Sequence, residues 1–119
     1  MTAIDAPRNG DNEVFLRGRL ADDPEPRELP SGDEIVTFRL TVPRAPQERS
    51  QSRSRVDSID CATLSARVRR CLERAEPGDR LEVNGRLHRR FWRSAGGVSS
   101  RYEVIVSSAR LARNRRSDA

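Results

Sequence analysis

The most regular stretch of the chain is "EIVTFRLTV", residues 34–42. Val36, Phe38, Leu40 and Val42 alternate there with Thr37, Arg39 and Thr41. A two-residue period of this kind belongs to a strand with one face against a core. "NEVFLRGRL", residues 12–20, predicts an earlier strand interrupted by Gly18, where glycine marks a bend or a close backbone approach. "VDSIDCATL", residues 56–64, predicts a third strand with Ile59, Cys61 and Thr63 on one side. The period then changes. Val68, Cys71, Leu72 and Ala75 recur at helical spacing, the single apolar stripe of a short helix. Ser65 is placed to cap its start, and Pro77-Gly78 to stop it. A fourth strand follows over residues 80–92. A uniform pleat gives Leu81, Val83, Leu87 and Phe91 to the core face, and Arg86, His88, Arg90 and Trp92 to the other. "YEVIVSSARL", residues 102–111, predicts the fifth strand.

The connections are legible by composition. Residues 21–33 carry three prolines and a glycine and predict a turn-rich link. Residues 43–55 hold four Arg against one Glu and predict a mobile loop. "RSAGGVSSR", residues 93–101, predicts a flexible hairpin loop. Residues 1–11 predict a flexible N-terminus, and residues 112–119 a short basic flexible tail. Three strands, a helix and two strands make the order of an all-β OB-fold. That fold is a five-stranded Greek-key barrel, here with one short helix between strands 3 and 4. It would fill a single domain over residues 12–111.

Composition narrows the chemistry. The 119 residues suit one domain with one modest core. The net charge is +5, and all 23 basic residues are Arg. Guanidinium groups pair bidentately with phosphate and stack on planar rings, so polyanions are the favoured partners. No apolar run is long enough to cross a bilayer, and no signal-peptide pattern opens the chain. No membrane role is expected, and a cytoplasmic, nucleoid-associated location is. Cys61 and Cys71 lack metal-ligand spacing and read as two small buried thiols. There is no phosphate-binding loop, nucleophile elbow or cluster of metal ligands. No enzyme, cofactor or metal site is therefore expected.

The candidate site lies in "RLHRRFWRSAGG", residues 86–97, with the chain's only Trp and only His. From Arg86 to Arg101 there are five Arg and no acid. An unpaired nucleic acid offers phosphates and exposed base faces, and its binders combine positive charge with flat side chains. Trp92 is the expected stacking ring, with Arg86, Arg90, Arg93 and Arg101 on phosphates. Phe91 is read as core packing first and as a second stacking ring otherwise. His88 is read as sitting in the same groove, a lone His without a carboxylate partner. Arg39, and Arg17 and Arg19 flanking Gly18, are further phosphate contacts or ordinary solvated charge. Arg44, Arg49, Arg53 and Arg55 could close over a bound strand from their loop. Tyr102 is open between core and surface. The helix residues Arg67, Arg69 and Arg70 are assigned to solvent.

Two motifs at this spacing resemble the bacterial single-stranded DNA-binding proteins. One runs through Asn12, Val14, Leu16, Gly18, Leu20, Asp23, Pro24, Arg27 and Gly32. The other runs through Gly78, Leu81, Val83, Gly85, Leu87, Arg90 and Trp92. The resemblance implies an OB-fold that binds single-stranded DNA without strong sequence preference in replication, recombination or repair. It also implies a homo-oligomer, a tetramer rather than a dimer. The chain departs from the pattern in three places. Residues 43–55 hold no aromatic, Ser58 and Leu64 stand where an aromatic is often found, and the end is a basic "RNRRSDA". The last feature speaks against partner recruitment through an acidic tip. Two alternatives stay open: an assembly subunit for a fuller DNA-binding protein, or a binder of single-stranded RNA.

Overall fold

The computed structural model describes residues 10–49 and 54–112. The N-terminal segment and basic tail expected above fall outside these residues, except for residues 10, 11 and 112. So do Arg53 and the side chain of Arg49.

Six strands and two helices follow in the order β1 (Val14–Leu20), β2 (Glu25–Glu28), β3 (Glu34–Pro43), α1 (Pro46–Arg49), β4 (Val56–Thr63), α2 (Ala66–Glu73), β5 (Arg80–Ser94) and β6 (Gly97–Leu111). The sheet order is β1-β5-β6-β4-β3-β2, and β1 also pairs with β3. That extra pairing, Arg19 with Thr41 and Leu20 with Leu40, closes five of the strands into a barrel. β4 and β6 meet in parallel at Cys61–Val104 and Ala62–Ile105, and the other pairs are antiparallel. A five-stranded Greek-key barrel with a helix between its third and fourth strands is the OB-fold that the sequence predicts.

Three connections differ from expectation. Residues 25–28, read as turn, form the hairpin strand β2 against β3, with Pro26 opposite Val36. Proline fits there because β2 is an edge strand and owes no second ladder bond. The link over residues 43–55 contains the short α1. Residues 93–101 are ladder rather than loop, and the turn is confined to Ala95 and Gly96.

The barrel interior is Leu20, Val36, Phe38, Leu40, Cys61, Leu81, Val83, Val104 and Val106, and α2 adds Val68, Cys71 and Leu72. Full burial of side chains of this size stabilises by about 1.5–3 kcal/mol each. Thr63 and Glu103 are the buried polar residues among those described. The Thr63 hydroxyl donates to the Val106 carbonyl at 2.8 Å and accepts from the Ser65 amide at 3.1 Å. Ser65 caps α2 as expected, accepting from the Val68 amide at 3.2 Å. Arg69, assigned to solvent above, instead pairs with Glu34 and ties α2 to the start of β3. Among the described residues no helix is long and apolar enough to cross a membrane.

Two glycines make the barrel's tight corners. A Cβ on Gly18 would lie 2.6 Å from the Thr41 carbonyl oxygen, at the β1–β3 closure. One on Gly85 would lie 2.1 Å from the Ile105 carbonyl oxygen. There the β5–β6 register shifts between Asn84 and Gly85. Asn84 faces Ser108 and Gly85 faces Val106, so Ser107 is the extra residue of a bulge in β6.

Both cysteines are buried and unpaired. Burial pushes the Cys61 thiol from 9.0 up to about 12, and the charges of Asp60 and Glu103 push the same way. Its folded value lies above its unfolded one, so the stability it contributes is complete below about pH 9 and is lost as pH rises towards 12. Two outcomes are expected. Gly85→Ala lowers the unfolding free energy by about 1–3 kcal/mol in a denaturant titration, while Gly10→Ala, with no atom within 4 Å of its added Cβ, does not. At pH 9 the folded protein resists alkylation at Cys61, read by peptide mass mapping, and the denatured protein reacts.

Candidate nucleic-acid interface

β5 and β6 share an unbroken antiparallel register from Gly85–Val106 to Ser94–Gly97. The first part of these strands walls the barrel, and the rest projects as a two-stranded ribbon. Residues opposite one another share a face, so the register sorts the side chains. His88 with Glu103, Arg90 with Arg101 and Trp92 with Ser99 lie on one face. Leu87 with Val104, Arg89 with Tyr102, Phe91 with Ser100 and Arg93 with Val98 lie on the other. The assignment of Phe91 to the core is overturned, since it is 61% exposed. Leu87 is exposed too. Both continue the face that is inward at Leu81 and Val83, but beyond Gly85 the strand has left the barrel.

Trp92 is 40% exposed, and the Arg90 guanidinium lies 5.1 Å from its ring centroid. Such a contact contributes roughly 0.5–1 kcal/mol at an exposed site and holds the indole in place. At the foot of this face lies a cleft of about 220 Å³, whose lining includes Arg39, Arg90 and Arg101 together with Asp60 and Glu103. Arg39 lies 3.7 Å from Asp22 and 3.6 Å from Asp60, and Arg101 reaches the other oxygen of Asp60 at 3.6 Å. These ion pairs are at least one-third exposed and are worth about 0–1 kcal/mol each. A phosphate can displace such a carboxylate without large cost. His88 does have a carboxylate partner, contrary to the sequence reading. Its Nδ1 lies 3.3 Å from Oε2 of Glu103, which is only 8% exposed.

The remaining candidates are dispersed. Arg86 is exposed on the Trp92 side of β5. Arg93 is exposed on the opposite face, away from Trp92. Arg17 donates to Glu82 at 2.9 Å, and Arg110 pairs with the same carboxylate at 2.8 Å. The Arg110 contact, aided by Arg17, holds the Glu82 carboxyl below the usual range against the opposing effect of desolvation. Arg19 donates to the Gly78 carbonyl at 2.8 Å. Both sit beside the far end of β5, opposite Glu82 and Arg80, ten and twelve residues from Trp92 and so up to about 30–40 Å along the strand. Arg44 pairs with Asp57 at 2.9 Å. Thus Trp92, Arg90, Arg101, Arg39 and His88 are brought together, and Arg17, Arg19, Arg44 and Arg93 lie elsewhere.

The sequence reading missed Asp60 and Glu103 as parts of this face. The signal for Glu103 was the turn at Ala95 and Gly96, because the pairs flanking it sum to a constant and set Glu103 opposite His88. Asp60, on β4, had no such signal.

A sequence profile described as the single-strand binding protein family matches residues 11–112. Single-stranded DNA-binding protein A of Bacillus subtilis is 35% identical over 86 residues, covering 72% of this chain and 49% of that protein. The single-stranded DNA-binding protein of Deinococcus radiodurans is 32% identical over 101 residues, covering 84% of this chain and 33% of its own length. The chain thus spans half or less of these relatives. Among solved structures, a Plasmodium falciparum SSB complex with ssDNA superposes with a TM-score of 0.73 at 22% identity, over 91% of this chain and 98% of that one. That likeness concerns the fold. The profile and the relatives together place the chain in the single-strand binding protein family.

Proposed function

We propose that this chain binds single-stranded DNA with little sequence preference, in the service of replication, recombination or repair. The observation that carries the reading is Trp92, an exposed indole clamped by Arg90 on a ribbon that projects from an OB barrel. A base stacks on the indole while Arg90, Arg101 and Arg39 take the neighbouring phosphates. Stacking and backbone contacts of this kind accept every base, because each has a π-face. Family membership and the relatives' names support the same ligand. The working form is a homo-oligomer, a tetramer rather than a dimer, as the family resemblance implies. Sugar discrimination is read by competing matched RNA and DNA oligomers, with DNA expected to win.

The chain's single Trp makes the decisive experiment site-specific. Polythymidine should quench Trp92 emission, and affinity should fall with salt. Three neutralised phosphates give a slope of about −2 in log K against log salt. Trp92→Ala should cost about 1–3 kcal/mol of binding. Absence of quenching at low salt overturns the proposal. Asp60→Asn is expected to tighten polythymidine binding several-fold, because it releases Arg39 and Arg101 from exposed pairs worth up to about 1 kcal/mol each. Filter binding at low salt checks this, and weaker binding would show that Asp60 positions those arginines rather than competing for them.

A further inference from the structure

The back of the ribbon has its own chemistry. The Arg89 guanidinium lies 5.2 Å from the ring centroid of Phe91 and 5.2 Å from that of Tyr102. The Ser100 hydroxyl accepts from Arg89 Nε at 3.1 Å and from a second guanidinium nitrogen at 2.9 Å. One cation is thereby held against two rings. Each ring remains more than half exposed, at 61% for Phe91 and 57% for Tyr102. The register adds Arg93 to the same face and places no carboxylate there from Leu87 to Arg93 or from Val98 to Val104. The front differs, since its arginines share space with Asp60, Asp22 and Glu103.

We infer that this back face is a second base-stacking site for single-stranded nucleic acid, so that one ribbon engages bases on both of its sides. Nothing about Trp92 requires it, because successive side chains of a strand point in opposite directions. The occupant follows from the chemistry. Two exposed rings with guanidiniums at hand, and no carboxylate on this face among the described residues of β5 and β6, fit a base and its phosphate. Arg89 pre-orders both rings, so little conformational freedom is lost when a base arrives. A strand passing from front to back around the ribbon would occupy more nucleotides per chain than one groove holds. The inference rests on the proposed DNA binding but is tested apart from it.

The test uses the full chain. It contains one Trp and one Tyr, so the Trp92→Ala variant leaves Tyr102 as its dominant emitter. Polythymidine should still bind that variant and should quench its tyrosine emission. In the otherwise wild-type chain, Phe91→Leu with Tyr102→Leu keeps apolar area but removes both rings. Trp92 quenching by a short oligothymidine should persist there, while the number of nucleotides occluded per chain on polythymidine falls by about half. Complete loss of binding in Trp92→Ala, or binding with unaltered tyrosine emission, overturns the second site. An altered oligomeric state of the double-leucine variant in size-exclusion chromatography also overturns it, by assigning the face to contact between copies. Wild-type quenching of Trp92 with any of these negatives leaves the front site standing alone, and no wild-type quenching is the failure of the first reading.

Discussion

One ladder of hydrogen bonds organises this molecule, the antiparallel pairing of β5 with β6 from Leu81–Leu111 to Ser94–Gly97. Its barrel half contributes Leu81, Val83, Val104 and Val106 to the core. Its outer half has almost no core to rest on, and its order comes from paired backbone and from cross-strand contacts such as Arg89 with Tyr102. The same ladder therefore builds the fold and aims the chemistry. The transition between its two roles occurs at Gly85, where the Ile105 carbonyl comes too close for any side chain and a bulge turns β6.

The parts of the fold that bury a face were legible in the sequence. β3 alternates so regularly because Val36, Phe38 and Leu40 all enter the core. The helix announced itself through Val68, Cys71 and Leu72, and through Ser65 at its start. What escaped was structure held by pairing without burial. β2 is "EPRE", fully exposed, and composition alone reads it as turn. Residues 97–101 are glycine, valine, serines and arginine on a ribbon, and they look like loop because no face of them meets the core. Phe91 and Leu87 were misassigned for the complementary reason. Their pleat was read correctly, but a pleat records only which side a residue takes, not whether anything waits on that side.

The site was legible in kind and less so in arrangement. Trp92 with Arg90 is a local feature, two residues apart on one strand, and the sequence carried it. The clustering of Arg39 and Arg101 about Asp60 joins three strands and has no local signature. Charge counting also hid a distinction. The run from Arg86 to Arg101 lacks acids, yet folding sets Asp60 and Glu103 beside its front face and leaves the back face without them. A basic sequence segment thus becomes two surfaces of different character.

Asn12 has a bearing on both surfaces. Its side chain grips the main chain of Leu87 twice, donating to the carbonyl at 2.7 Å and accepting from the amide at 2.8 Å. It lies two residues beyond the β1–β5 pairs that end at Val14–Gly85 and opposes the residue where the ribbon begins. A slip of one residue there would turn every outer side chain to the reverse side, trading the indole for the phenyl ring. A clasp at the root thus sets the orientation of a tip that it never touches, and the tip can exchange residues without losing its aim.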